Sequence, residues 1–587
     1  MGESDERAVY VALALAGGAL LALIWATGAL AGVLFGSGAA PIPAGETLAV
    51  AFRLPFHLGD PRAAWPPAAQ HRLPGAAGIY VSFSLLAGLL GAVAAGVARG
   101  LRDLERPAFL QRREKPPVAR WASARELAPL RVPAPTPRRL TLGRRGRTLL
   151  AAEAGRSVIV FGPTQTHKTS GLVIPALLEW EGPVLATSVK SDLLEPTLER
   201  RETLGEVWVF DPAQVTETER ARATPMQSVE GWDGALRVAH WLAGAAKGGA
   251  GDLRDADFWF QNAEKLIAPL LFAAKRKDGS IATALAWLDE GPEACGAKVA
   301  PILAEAGEAR AARAFMATQN REERQRSSVY TTAETILAAF GDPRVAEETQ
   351  GADYTPEALL AGSNTLYLIA PRSEQERLRT VFSTLIQELL ALVEARSAAK
   401  GGPIDPGLLL LLDECANIAP FPGLDEVAST AAGLGVQLVT AFHDISQAKA
   451  RLGSRVDSII NNHHAKLLCR EISDVETLRH FTQLIGSGEF AQRSVNTQKG
   501  ERGHRSQTEG DTYRELAPAH LLRQSKAATA FLVYGSLSPT IVTLRPWYRD
   551  RALRELQNSS RVIGAGDVGV AGDATSDRML PPNVGSD

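Results

Sequence analysis

The chain's 587 residues are enough for more than one folded unit, and 45% hydrophobic with 22% charged residues is the composition of a folded protein. A formal net charge of −2 excludes nucleic-acid binding driven by bulk charge, so any such contact has to be local or built by assembly. Three widely spaced cysteines, Cys295, Cys415 and Cys469, exclude a disulfide framework and a paired-cysteine zinc site, and suit a reducing compartment.

Residues 1–98 read as a membrane anchor. No charge occurs from Ala8 to Gly45, and the apolar run Val9–Phe35 predicts a first spanning helix at about 9–35. This run is too long for a signal-peptide core and lacks the basic segment that precedes one. A second uncharged stretch, Leu73–Ala98, predicts a span at about 77–98, with an extracytoplasmic loop between the two. Arg99, Arg102, Arg106, Arg112, Arg113 and Lys115 follow the second run, against Arg53, Arg62 and Arg72 in the loop. That asymmetry places the N-terminus and the C-terminal body in the cytoplasm. Residues 99–150, rich in arginine and broken by proline, read as a juxtamembrane linker attracted to anionic lipid, or alternatively as a collar facing nucleic acid.

Strand and helix signals then alternate, which predicts an α/β fold with a parallel sheet and helices on its faces. The expected strands are SVIVF (157–161), GPVLATS (182–188), EVWVFDP (206–212), NTLYLIAP (364–371), GLLLLLDE (407–414), VQLVTAF (436–442) and HAKLLC (464–469). ATAFLVYG (528–535) and TIVTLRP (540–546) read as a closing hairpin. The nucleotide-binding domain is expected over 151–225 and 350–556, interrupted by an all-α insert at 226–349 where apolar residues recur at helical spacing. Residues 557–587, rich in Gly, Asp and Ser, are expected to be a disordered tail.

The strand SVIVF runs into GPTQTHKTS, a phosphate-binding loop formed by Gly162, Pro163, Thr164, Gln165, Thr166, His167, Lys168, Thr169 and Ser170. In such a loop successive N–H groups converge on an anion, the lysine reaches the β- and γ-phosphates, and the threonine hydroxyl ligates Mg²⁺. His167 stands where the pattern has its second glycine. Glycine serves there because it tolerates positive φ and lets backbone approach phosphate. Two geometries stay open: an imidazole over the phosphate position, or one turned outward with the N–H cradle intact. The leucine run 408–412 ends in Asp413 and Glu414, so a buried strand delivers two carboxylates to one sheet edge. Asp413 is expected to hold Mg²⁺, and Glu414 to polarise the water that attacks ATP. Gln447, past the end of VQLVTAF, is the expected γ-phosphate sensor, with His443 beside it. Arg372, Arg377 and Arg379 are candidates for reaching across a subunit interface, or for a solvated helix face.

These motifs, in this order, resemble the TraG/TraD type IV coupling proteins. The resemblance rests on the two apolar runs, RWASARELAPL, the phosphate loop through ATSVKSDL, VWVFDP, DFWFQNAEKL, LLDECANIAPFPGLDEVASTAAGLGVQLVTAFHDISQAKARLG and RPWYRD. It covers most of residues 1–555. It implies a RecA-like P-loop NTPase domain with an inserted all-α domain, held in the inner membrane by two transmembrane helices. It further implies a homo-hexamer that couples ATP and Mg²⁺ to transport of single-stranded DNA. A relaxase nucleoprotein would be received through the α domain and passed to a type IV secretion channel. Lys168 and Thr169 take the phosphate and Mg²⁺ roles, Asp413 and Glu414 the acidic motif, and Gln447 the sensor. His167 and His443 depart from the family pattern, and Lys190 and Asp192 fall near the sheet edge without an assigned role. The alternatives are a substrate-recruiting membrane platform with a degenerate nucleotide site, or another DNA translocase or secretion ATPase.

Overall fold

The computed structural model describes residues 3–39, 43–100, 118–247, 256–418, 421, 423–497 and 505–558. Most of the basic stretch after the second apolar run (101–117) and the segment expected to be a disordered tail from 559 lie outside these. The chain divides into two units, 1–117 and 118–587.

In the first unit the two apolar runs are helices, Glu3–Phe35 and Ala76–Gly100. Their windows Gly17–Phe35 and Ala76–Val93 have mean hydropathies of 2.0 and 1.9, and are long and apolar enough to cross a membrane. Leu20, Val33, Leu34, Leu85, Leu89 and Leu90 are exposed on them. The helices pack on each other and on the short segments between them around Ile24, Ala31, Val50, Trp65, Leu73 and Ile79. Gly36 permits the close approach, because a Cβ there would lie 2.0 Å from the Arg72 carbonyl oxygen.

The second unit is built on a sheet whose strands are, in chain order, β1 (Arg131–Val132), β2 (Thr141–Arg145), β3 (Thr148–Ala151), β4 (Val158–Phe161), β5 (Val184–Ser188), β6 (Val207–Phe210), β7 (Thr365–Ile369), β8 (Leu408–Leu412), β9 (Val436–Phe442) and β10 (Ala465–Cys469), then β13 (Thr529–Tyr534) and β14 (Thr540–Thr543). Between the last two pairs, β11 (Ser487–Thr497) and β12 (Arg505–Glu515) form a separate antiparallel ribbon. The main sheet has 12 strands in the order β1-β3-β2-β14-β13-β10-β4-β9-β8-β5-β7-β6. Every pairing from β10 to β6 is parallel, and every pairing from β10 outward to β1 is antiparallel. The parallel strands are covered on both faces, which is why they read as unbroken apolar runs rather than alternating ones.

The chain between β6 and β7 is helical throughout its regular elements, from Trp232–Lys247 to Pro356–Leu359. Its apolar face is continuous with one face of the sheet, where Trp208 meets Tyr354 and Phe210 meets Phe382 edge to face.

The expected linker over 99–150 needs correction from 118 onward. Residues 118–151 carry β1–β3 and bury Leu130, Leu140, Leu142 and Leu150 against the sheet's other face. Its arginines are not all solvated charges. Arg139 donates to the carbonyl oxygens of Pro129 (2.8 Å), Ala151 (3.0 Å) and Ala152 (3.0 Å), closing the turn that joins this segment to β4.

Candidate active site

β4 lies between β9 and β10, and β8 pairs with the other side of β9. The C-terminal ends of β4, β8 and β9 are therefore neighbours, and they deliver residues 162–170, 413–414 and 443 to one edge. At the end of β4 the Gly162 N–H donates to the Phe442 carbonyl (3.1 Å). A Cβ on Gly162 would lie 2.7 Å from both Cys469 Cβ and Thr166 Oγ1, so only glycine opens this loop.

Gln165 (φ 64°) and His167 (φ 67°) hold the left-handed backbone that reverses the loop. His167 thus adopts the conformation for which the pattern reserves glycine. Its Nδ1 is 3.2 Å from Ser170 Oγ and 3.5 Å from Tyr548 Oη, which draws the ring toward the residues after β14. Burial, then Arg549 and Arg470, push its pKa below the usual imidazole value, so the ring adds no positive charge to the loop at neutral pH. Lys168 is buried, and its Nζ donates to the carbonyls of Gly162 and Pro163, the latter at 2.8 Å. A π-helical turn, Thr169–Val173, follows before the helix Ile174–Glu179.

Thr169 Oγ1 donates to Asp413 Oδ2 at 2.8 Å. Asp413 is buried, and its Oδ1 has no hydrogen-bond partner. Burial pushes its pKa up to about 6, against the pull of Thr169 and Lys168. Glu414 turns out of the strand with φ 52°. His443 Nε2 stands 3.6 Å from Glu414 Oε1, and Asn417 Nδ2 donates to Glu414 Oε2 at 3.4 Å. The neighbouring imidazole is the main reason the Glu414 carboxyl sits below its ordinary pKa. Two adjacent carboxylates are thereby driven in opposite directions by their surroundings.

A cavity of about 820 Å³ opens on these groups. Thr164–Ser170, Asp413, Glu414 and His443 line it, as do Lys190 and Asp192 from the loop after β5. Gln447, expected as the sensor, lines a different cavity: its Oε1 accepts from the His443 N–H at 3.2 Å, and His443 takes the place on the wall. Arg377 is paired with Asp342 (2.8 Å) and Glu374 (2.6 Å). Arg372 and Arg379 line the same second cavity as Gln447.

Trp547, Gln557 and Pro196, to which the sequence motifs gave no role, also line the main cavity. The motif RPWYRD is tied to the last residue of the phosphate loop and to those that follow it. Buried Arg545 bonds to Glu179 (2.5 Å) and Asp550 (2.8 Å), while the N–H groups of Arg545 and Trp547 donate to the carbonyls of Gly171 (3.1 Å) and Ser170 (2.9 Å). The detectable signal was a charged and aromatic cluster directly after a final strand, where a plain chain end would be polar.

Residues 125–566 match the family described as type IV secretory system conjugative DNA transfer. The chain belongs to this family. Among related conjugative proteins, it is 24% identical over 365 residues to the conjugal transfer protein TraG of Escherichia coli, covering 58% of this chain and 56% of that one. It is 22% identical over 437 residues to protein VirD4 of Rhizobium rhizogenes, covering 70% of this chain and 61% of that one. The chain thus spans a little over half the length of these curated relatives. The plasmid coupling protein TrwB, solved in complex with ADP and Mg²⁺, shares the fold with a TM-score of 0.53 at 14% identity, covering 73% of this chain and 94% of that one. For a member of the conjugative DNA-transfer family, a RecA-like P-loop sheet with a helical insert is the shared frame.

Proposed function

We propose that the chain is a membrane-anchored type IV coupling ATPase that binds ATP with Mg²⁺ and uses its hydrolysis to drive single-stranded DNA into a secretion channel. The observation that carries this reading is the junction of the phosphate loop with the acidic strand end: Thr169 Oγ1 on Asp413 Oδ2, with the buried Asp413 Oδ1 left unpartnered. A buried carboxylate oxygen without a donor beside a hydroxyl is the donor set a hard divalent cation takes. Mg²⁺ held by Thr169 and Asp413 would neutralise charge on the nucleotide's phosphates.

The chain's own groups account for the rest. Lys168 leaves its two loop carbonyls and places its ammonium on the terminal phosphates. Glu414, kept ionised beside His443, accepts hydrogen bonding from the attacking water and orients it. His443, on the cavity wall, is the polar group placed to sense the γ-phosphate. Trp547, on the cavity wall with Gln557, is the aromatic side chain to stack on the base.

The two apolar helices support an inner-membrane location with the larger unit in the cytoplasm. Relatives named for conjugal transfer support DNA as cargo and a type IV secretion channel as its destination; the family resemblance implies a relaxase-bound strand and a homo-hexamer. ATP binding and turnover by the full-length chain in detergent, with and without Mg²⁺, test this reading. Turnover that requires Mg²⁺ is the expected result. No binding at millimolar ATP would overturn it in favour of a recruiting platform.

A further inference from the structure

A second cavity of about 260 Å³ is lined by Ala416 and Asn417, which follow Glu414 in the chain. Three arginines line it: Arg372 before the helix Gln375–Lys400, Arg379 within that helix, and Arg451 in the helix Ile445–Leu452. Arg377, in the same stretch, is ion-paired with Asp342 and Glu374. The other three make no ion pair or hydrogen bond with the described residues, and Glu376 is the one carboxylate lining the space with them. Arg379 is 8% exposed and its Nε has no partner. The Arg379 guanidinium is withdrawn from water with only the exposed Glu376 carboxylate acting on it, which costs stability. Three around one small space form an arrangement that an oxyanion would complete with charge-assisted, forked hydrogen bonds. The volume suits one tetrahedral group and its ester links, and is about a third of the nucleotide-sized cavity.

Two residues belong to this cavity and also reach the first site. Asn417 lines it and donates to Glu414 Oε2. Gln447 lines it and accepts from the backbone of His443, whose ring faces Glu414. An anion held by the arginines would therefore bear on both groups that position Glu414.

We propose that this cavity binds one phosphodiester of a single-stranded nucleic acid and that its occupancy is passed to Glu414 through Asn417 and through Gln447 and His443. The proposal rests on the reading of the chain as a DNA-transfer ATPase and supplies the contact by which the strand acts on hydrolysis. Arg372, Arg379 and Arg451 are strand-binding residues, while Asn417 and Gln447 are positioning residues.

The test uses full-length protein in detergent, a fluorescent oligothymidylate, and binding measured across a salt series. Arg372 and Arg451 are exposed, so their double replacement by glutamine spares the core. Affinity for the oligonucleotide is expected to fall about tenfold, and the slope of log affinity against log salt to flatten by about 0.7, the loss of one phosphate contact. Asn417→Ala is expected to keep that affinity while losing the stimulation of ATP turnover by the strand. Unchanged affinity and slope in the double variant would overturn the proposal. So would intact strand binding with lost strand-free turnover, which would assign the arginines to a nucleotide phosphate. Wild type that hydrolyses ATP but ignores the oligonucleotide overturns this proposal and leaves the ATPase reading standing. Wild type that binds the oligonucleotide through these arginines but does not bind ATP overturns the ATPase reading instead.

Discussion

Thr169 and Asp413, 244 residues apart in sequence, are joined by a 2.8 Å hydrogen bond at the rim of the main cavity. That bond closes the gap between the loop after β4 and the end of β8, strands separated in the sheet by β9. Only one carboxylate oxygen of Asp413 is engaged: Oδ2 accepts from Thr169, while the buried Oδ1 has no hydrogen-bond partner.

Removing the adjacent carboxylate should abolish chemistry while sparing binding. Glu414→Gln preserves shape and the contact with Asn417 but cannot act as a base. Its turnover of ATP is expected to fall by about 10²–10⁴-fold, with ATP affinity within a few-fold of wild type. Lys168→Ala should instead lose affinity, because its ammonium is the group proposed to meet the terminal phosphates. Pre-steady-state measurement of bound nucleotide beside steady-state turnover separates the two. Equal loss of binding in both variants would contradict these roles.

His167→Gly tests the departure in the loop. The ring engages Ser170 and Tyr548, and the backbone stands at φ 67°. Glycine removes a strained left-handed residue, worth roughly 1–3 kcal/mol, but also removes those two contacts. The expected result is ATP affinity within about threefold of wild type, with His167→Ala the less stable of the two variants because it keeps the strain and loses the contacts. A tenfold or larger gain in ATP affinity for His167→Gly would show that the imidazole obstructs the site.

The parallel half of this fold was legible because each of its central strands is an apolar run ending in the polar residues that the site uses, as VIVF before Gly162 and LLLLL before Asp413. The antiparallel half was less so. β1 to β3 are short, and arginines such as Arg139 serve there as donors to backbone carbonyls, so the stretch carries the composition of a linker. The ribbon of β11 and β12 alternates small, polar and charged residues and gives little apolar period to detect. That Lys168, Thr169, Asp413 and Glu414 line one cavity was legible, because the loop motif and the leucine run each lead to the C-terminal edge of a parallel strand. That His443 rather than Gln447 faces the main cavity was not, because it depends on how Asp444 caps the helix Ile445–Leu452 and turns its first residues.

Trp547→Ala should separate base from phosphate recognition. Trp547 lines the main cavity, as do Pro196 and Gln557. Loss of a stacking face costs about 1–3 kcal/mol per base, so ATP affinity is expected to fall about tenfold or more. Inorganic tripolyphosphate has no base, and its affinity should not change. Competition of each ligand against a fluorescent nucleotide gives both numbers, and a parallel loss for tripolyphosphate would reassign the indole to supporting the phosphate loop by packing, since the backbone N–H bond from residue 547 to Ser170 survives the substitution.

A last prediction concerns pH and lies away from the site. Glu388, on the helix Gln375–Lys400, is buried; its Oε1 accepts from Ser228 Oγ at 2.6 Å and its Oε2 has no partner. Burial is the main cause that raises its pKa to about 7, with the Ser228 hydroxyl opposing and Glu357 adding to the rise. Because the folded state holds this proton more tightly than the unfolded chain, stability is highest below the ordinary carboxylate pKa. It declines as pH rises from about 4.5 to about 7 and stays lower above, by roughly 3 kcal/mol. Glu388→Gln removes the titration and keeps the shape. Its melting temperature is expected to exceed wild type at pH 8 and to match it at pH 5, where wild type already carries the proton. A variant less stable than wild type at both pH values would show that the ionised carboxylate, rather than the protonated one, joins Ser228 to this helix.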